Sequence, residues 1–295
     1  SRKEVPSFMI SSKENPLIKT VAALQRKKGR LKHGLFIAEG PHLIEEALAS
    51  PFARRIKGLI LVGEDQAGPG DDGGSHFTVG VLAQTAKARG IPLYYVTKRL
   101  FRELAETENP QGILGLLELP PAAAAPPGRE SLAKGFLGLL LNEIQDPGNL
   151  GTILRTAWGA GIKNLFVTPG TVDPYSGKAV RSSQGGIFNL TIHRTPLTQV
   201  LAWARENGVT IVSGDPRGAK VYYDYDFTMP TLILLGNEGK GPQPEAATAG
   251  VPVQIPLPGG AESLNVATAA GILIFEAVRQ RACTHRHECS GMPKR

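Results

Sequence analysis

Residues 135–143 read GFLGLLLNE, a strand-length run that is apolar on both of its alternating faces. Successive side chains of a strand point to opposite sides, so such a run has to be buried twice over. The architecture that does this is a parallel sheet with helices covering each face. Further strands are expected over 163–168, 209–213, 231–235 and 252–256, separated by helical periods near 149–160, 196–207 and 264–281. Strands joined through helices run parallel, so residues 135–282 are predicted to form one doubly covered α/β domain.

Upstream, the pattern is again alternating α/β. NPLIKTVAALQ starts with an Asn-Pro helix signal, and the basic run RKKGRLKH is expected to be a turn. GLFIAEG, IKGLILVG, IPLYYVT and GILGLLEL read as strands, with helices over PHLIEEALAS, near 79–89 and over KRLFRELAETEN, completing a smaller domain over 1–119. The stretch PPAAAAPPGRE opens an expected linker over 120–134, because paired prolines extend the backbone and remove amide donors. A loop rich in Gly and Asp is expected at 63–74, and an unordered tail at 283–295.

Charge is distributed unevenly. Residues 1–58 carry twelve Lys or Arg against five Asp or Glu, while the remainder carries twenty-one of each, so the whole net charge of +7 sits in the first fifth. A basic end on a neutral remainder suits a partner with a phosphate backbone. The two cysteines, Cys283 and Cys289, cannot organise the fold through disulfides, which points to a reducing, cytoplasmic setting. No apolar run reaches the roughly 20 residues that span a bilayer, so no membrane partner is expected. CTHRHEC places Cys283, His285, His287 and Cys289 at alternate positions, without the usual structural-zinc spacing, and no metal site is expected.

Three strand ends carry polar chemistry, and ligands of open α/β sheets settle beyond the carboxyl ends of strands. In LNEIQDPGNLGTILRTAWGAG, Asp146 and Pro147 suit a helix start, and Arg155 falls off the apolar stripe of Leu150, Ile153, Leu154, Ala157 and Trp158. In TLILLGNEGKGP a strand runs into a Gly-rich bend that matches neither a Walker loop nor a dinucleotide fingerprint. In IPLPGGAESLNVATAAGILIFEAVRQR a bend precedes a long helix that opens on Ser263 and Asn265, an N-cap and a first-turn residue by local reading. Three such turns on one edge of a sheet are expected to form a pocket for a small polar ligand.

With these motifs in order, residues 136–282 resemble the SpoU/TrmH family of RNA ribose 2'-O-methyltransferases, within the SPOUT superfamily. NEIQDPGNLGTILRTA, LILLGNEGKGP and IPLPGGAESLNVATAAGILIFEAVRQR are similar to its three motifs, and VDPYSGKAVRSSQGGIF resembles its substrate-side loop. Residues 14–48, ENPLIKTVAALQRKKGRLKHGLFIAEGPHLIEEAL, more loosely resemble the family's ribosomal-protein-like RNA-binding domain.

The resemblance implies S-adenosylmethionine as methyl donor, a deep trefoil knot late in the chain, a homodimer and ribosomal RNA as substrate. By motif match it implies catalytic roles for Asn149, Arg155, Glu238, Ser263 and Asn265, with Glu238 and Asn149 holding Arg155. It likewise implies donor contacts at Leu235, Gly236, Asn237, Gly239, Ile255, Leu257 and Leu264, and RNA contacts at Lys178, Arg181 and Ser182 or Ser183. The basic run adds Arg26, Lys27, Lys28 and Arg30 as RNA contacts. Two alternatives stay open: a tRNA 2'-O-methyltransferase, and a non-catalytic RNA-binding protein that keeps the fold. The second should have lost Arg155, Glu238 or Asn265, and all three remain.

Overall fold

The computed structural model describes residues 9–63, 73–121, 126–128, 132 and 135–290, apart from the side chains of 73–77 and 284–290. It divides into two compact units, Ser1–Pro120 with Asp173–Asn189, and Pro121–Val172 with Leu190–Arg295. The expected linker and the loop at 64–72 lie largely outside the described residues.

Among the described residues of the first unit, five strands, β1 (Met9–Ile10), β2 (Leu35–Glu39), β3 (Ile56–Val62), β4 (Leu93–Val96) and β5 (Ile113–Glu118), order as β1-β4-β3-β5-β2. β5 runs antiparallel to both β2 and β3, while β1, β3 and β4 are parallel. Leu114 and Leu116 of β5 join Ile18, Val21, Leu24, Leu100, Phe101 and Leu104 from helices Pro16–Leu24 and Lys98–Leu104 in one core. The alternate residue Gly115 faces Ile44 of helix Pro41–Ala49 so closely that a Cβ would lie 2.6 Å from Ile44 Cδ1.

The basic run is helix, not turn. Asn15 caps helix Pro16–Leu24 by accepting the Leu17 N–H at 2.9 Å, and a second helix, Lys27–His33, closes on Gly34 at φ 65°. Gly29 allows that second helix to begin so soon, because a Cβ there would fall 1.9 Å from the Ala23 carbonyl oxygen. Segment 173–189, expected within the 135–282 domain, packs with the first unit, where Tyr175 lies 4.9 Å from Phe36 and Phe188 lies 5.5 Å from Phe52, centroid to centroid.

Among the described residues of the second unit, seven strands are all parallel, as the doubly apolar run requires. They are β6 (Leu137–Leu141), β7 (Asn164–Val167), β8 (Thr191–Arg194), β9 (Thr210–Gly214), β10 (Lys220–Val221), β11 (Thr231–Leu235) and β12 (Val251–Gln254), ordered β10-β12-β9-β11-β6-β7-β8. One face buries Leu140, Phe166, Ile211, Leu232 and Leu234 against Val200, Trp203 and Ala204 of helix Leu197–Glu206 and Ala246 of helix Pro244–Ala249. Beside it, helices Pro147–Gly159 and Val266–Ser290 pack together, burying Ile153, Leu154 and Ala157 on one and Ala270, Leu273, Ile274 and Ala277 on the other.

β8, β10 and helix Pro244–Ala249 have too few apolar residues to announce themselves in sequence; β8 is an edge strand held by stacking of His193 on Phe166. The last helix continues past its expected end at 281 to Ser290, into the expected tail. Arg281 anchors it, donating to the carbonyls of Gly135, Phe136, Phe227 and Met229. Among the described residues no helix is long and apolar enough to cross a membrane.

Candidate active site

β6 and β11 are neighbours in the middle of the second sheet, so the loops that follow them emerge side by side. Beyond β11 the chain turns sharply at Gly236, where a Cβ would sit 2.2 Å from the Pro242 nitrogen. Only glycine permits that approach. The turn brings Glu238 over the start of helix Pro147–Gly159, and its carboxylate accepts the N–H groups of Gln145 and Asp146, each at 3.1 Å, and the Asn149 amide at 3.1 Å. Burial pushes the Glu238 carboxyl upward, but the N–H of Gln145, its own N–H, the Asn149 amide and the N–H of Asp146 outweigh it and hold its pKa below the ordinary value.

The third motif joins at Asn149. Its Oδ1 accepts from the Asn265 side-chain amide at 2.9 Å, while Asn265 Oδ1 accepts the N–H groups of Ala267 at 2.9 Å and Thr268 at 3.3 Å. Asn265, rather than Ser263, therefore caps the last helix, and it does so while linking to the first motif. Glu238, Asn149 and Asn265, remote in sequence, form one hydrogen-bonded chain.

Beside this chain lies a cavity of about 280 Å³. Leu235, Gly236, Asn237, Gly239, Ile255, Leu257 and Leu264 all line it, as do Glu238 and Ser263. Gly214, Asp215 and Pro216, which sequence reasoning missed, complete the wall from the end of β9. A mostly apolar cleft with a few placed polar groups is the form that small-molecule and cofactor sites take.

A second polar layer was also missed. Asn142, fully buried, donates to Thr168 Oγ1 at 3.0 Å and accepts the Gln243 N–H at 2.7 Å. Gln243 donates to Glu143 Oε1 at 2.9 Å, and Asn237 donates to the Glu143 carbonyl at 3.2 Å. Glu143 stands at φ 60°, a left-handed conformation unusual outside glycine. The only sequence signal for this layer is the polar pair that ends the apolar run of β6.

Two expectations about arginines need correction. Arg155 is exposed and, among the described residues, has no hydrogen-bond or ion-pair partner; Glu238 and Asn149 bind each other instead of holding it. Arg30 is 4% exposed, and its guanidinium is consumed within the first unit, by Asp173 Oδ2 at 2.9 and 2.8 Å and by the carbonyls of Leu24 and Gln25. It is thus a structural ion pair and cannot also grip RNA. Arg26, Lys27 and Lys28 remain exposed, as does Lys178; Ser182 is half-buried and Ser183 buried. Arg181 donates to Glu106 at 2.8 Å. Of the terminal cluster only the Cys283 side chain is described, and it is exposed; His285, His287 and Cys289 lie outside the described side chains.

Residues 137–275 match the SpoU rRNA Methylase family, and residues 15–115 match the MRM3-like substrate binding domain. An uncharacterized tRNA/rRNA methyltransferase of Synechocystis sp. is 34% identical over 92% of this chain and 94% of its own length. The 23S rRNA (guanosine(2553)-2'-O)-methyltransferase RlmP of Bacillus subtilis is 33% identical over 90% of this chain and 97% of its own. Among solved structures, the AdoMet-bound rRNA methyltransferase from Sinorhizobium meliloti superimposes with a TM-score of 0.77 at 33% identity, covering 92% of this chain and 97% of that one. The three motifs, the parallel sheet that gathers them and these relatives agree, and the chain belongs to the SpoU rRNA methylase family.

Proposed function

We propose that the cavity at the strand ends holds S-adenosylmethionine and that Asn149, Arg155, Glu238, Ser263 and Asn265 set an RNA ribose against it. Membership of the family makes the chain an S-adenosylmethionine-dependent RNA ribose 2'-O-methyltransferase. The observation that carries the site assignment is the Glu238–Asn149–Asn265 chain, which ties all three motifs together and reaches the cavity wall at Glu238.

Leu235, Gly236, Asn237, Gly239, Ile255, Leu257 and Leu264 would hold the donor, with Asp215, just past β9, also in the cavity wall. When bound, the donor supplies an electrophilic methyl group on a positively charged sulfur. The protein's share is alignment and proton removal, and alignment alone can supply up to roughly 7–11 kcal/mol in the best intramolecular models. Glu238 and Asn265 keep Asn149 fixed, so the ribose site needs little rearrangement. Arg155, exposed and uncommitted among the described residues, grips the phosphate beside the target ribose and orients its hydroxyl. A guanidinium stays protonated at neutral pH, so the hydroxyl proton passes to that phosphate or to water.

Ribosomal RNA is the substrate favoured over tRNA, because the relatives named above act on rRNA where a single substrate is given and because residues 15–115 match a substrate-binding domain. We assign RNA binding to the first unit and methyl transfer to the second. A homodimer belongs to the same reading: Phe275 on the last helix is 51% exposed and Met229 57%. The trefoil threading and a cytoplasmic setting, both implied by the family resemblance, complete it.

Incubation with unmodified ribosomal RNA and labelled donor, followed by mapping of 2'-O-methyl sites, tests the substrate. Arg155→Ala should lower the single-turnover rate about 100-fold with saturating RNA while donor affinity is unchanged. A near-normal rate would remove Arg155 from the mechanism.

A further inference from the structure

The first unit contains a second cavity, of about 300 Å³, that methyl transfer does not use. Glu39, His42, Asn109, Gln111, Arg181 and Gln184 contribute its polar groups. Its charged floor is already oriented. The Glu39 side chain is 5% exposed; its Oε2 accepts the Glu106 N–H at 2.9 Å and its Oε1 accepts the Thr107 hydroxyl. Each carboxylate oxygen carries a further lone pair, so Glu39 can still accept from a ligand. Arg181 donates through Nη1 to Glu106 and stands 3.9 Å from Glu39, which leaves other guanidinium N–H groups for a second acceptor.

The rim is different in character. His42, Asn109 and Gln111 are exposed and, among the described residues, make no hydrogen bond. Gln184 is held at φ 48°; among the described residues only Glu143, in the active-site network, shares this left-handed state outside glycine.

A concave site that offers one carboxylate, one guanidinium and several amides matches a flat edge with donors and acceptors side by side. Single-stranded RNA is read in this way, by bases splayed out of the stack. We propose that the recess takes one unstacked RNA base, and that the base is guanine. Its N1–H and amino group would donate toward Glu39, its O6 and N7 would accept from Arg181, the pairing by which arginine reads guanine elsewhere, and the rim amides of Asn109 and Gln111 would close on its remaining edge and hold it in the recess. The exposed Arg26, Lys27 and Lys28 of the same unit supply attraction for the backbone without regard to sequence. The proposal rests on the reading of the chain as an RNA methyltransferase and adds to it a base that the substrate must present to the first unit.

The test is fluorescence anisotropy of the full chain with short oligouridine RNAs, either unbroken or carrying one central guanosine, adenosine or cytidine. Guanosine should tighten binding about tenfold or more over the other three. The double variant Asn109→Leu with Gln111→Leu should lose most of that gain yet keep its affinity for unbroken oligouridine and, by equilibrium dialysis, for S-adenosylmethionine. Equal binding of all four RNAs, or a gain that survives the double variant, overturns the recess while leaving RNA binding intact. A preference for another base overturns the guanine assignment. If oligouridine itself fails to bind while the donor binds, the RNA reading beneath the proposal fails.

Discussion

Glu238 combines an exposed position with several fixed hydrogen bonds, which makes it the most informative single residue of the site. Its folded-state pKa lies below the ordinary carboxylate value. A carboxylate so depressed contributes stability that is present above its unfolded pKa and is lost as pH falls through the folded one. Glu238→Gln should therefore flatten the loss of thermal stability on acidification below about pH 4.5, and superimposable profiles of the two proteins would show that the carboxylate adds nothing. The same change places an amide donor opposite the N–H groups of Gln145 and Asp146, so methylation should fall with the network. Glu238 was legible in sequence because it sits in a Gly-rich turn after an apolar strand. Asn142 and Gln243 were not, since a polar residue at a strand end has many uses and only its partners distinguish them.

Among the elements, helix Lys27–His33 is where charge and structure separate. Read as a string, RKKGRLKH is basic at six of its eight positions, but folded into a helix it turns Arg30 inward to Asp173 and leaves Arg26, Lys27 and Lys28 outside. Replacing those three by Ala should reduce the slope of log affinity for RNA against log salt by about two, at roughly 0.7 per lost phosphate contact, and change stability by less than about 0.5 kcal/mol. Arg30→Ala should instead destabilise by about 3–5 kcal/mol in denaturant unfolding, because it leaves Asp173 buried without its guanidinium. An Arg30→Ala protein of normal stability with a reduced salt slope would return that residue to the RNA face. The helix period of this run was hidden by Gly29, a helix breaker by propensity that is required here by close packing on Ala23.

For the molecule as a whole, the homodimer is the expectation with the plainest measurement. The last helix buries Leu273, Ile274 and Ala277 and leaves Phe275 half outside. Phe275→Arg should convert a dimer to a monomer by light scattering at micromolar concentration, while the fold by circular dichroism stays unchanged; a persistent dimer would take this face out of the contact. The sequence by itself determined the sheet and the order of its functional turns, because strand burial, helix period and glycine turns are set by residues within a few positions of one another. Only the tertiary structure decided which polar groups meet. Asn265 lies 116 residues from Asn149, and Arg30 lies 143 from Asp173. A side chain carries its donors and charge wherever it goes, but the partner that satisfies them is chosen by the packing of distant elements, which is why Arg30 changed role and Arg155 stood free of Glu238.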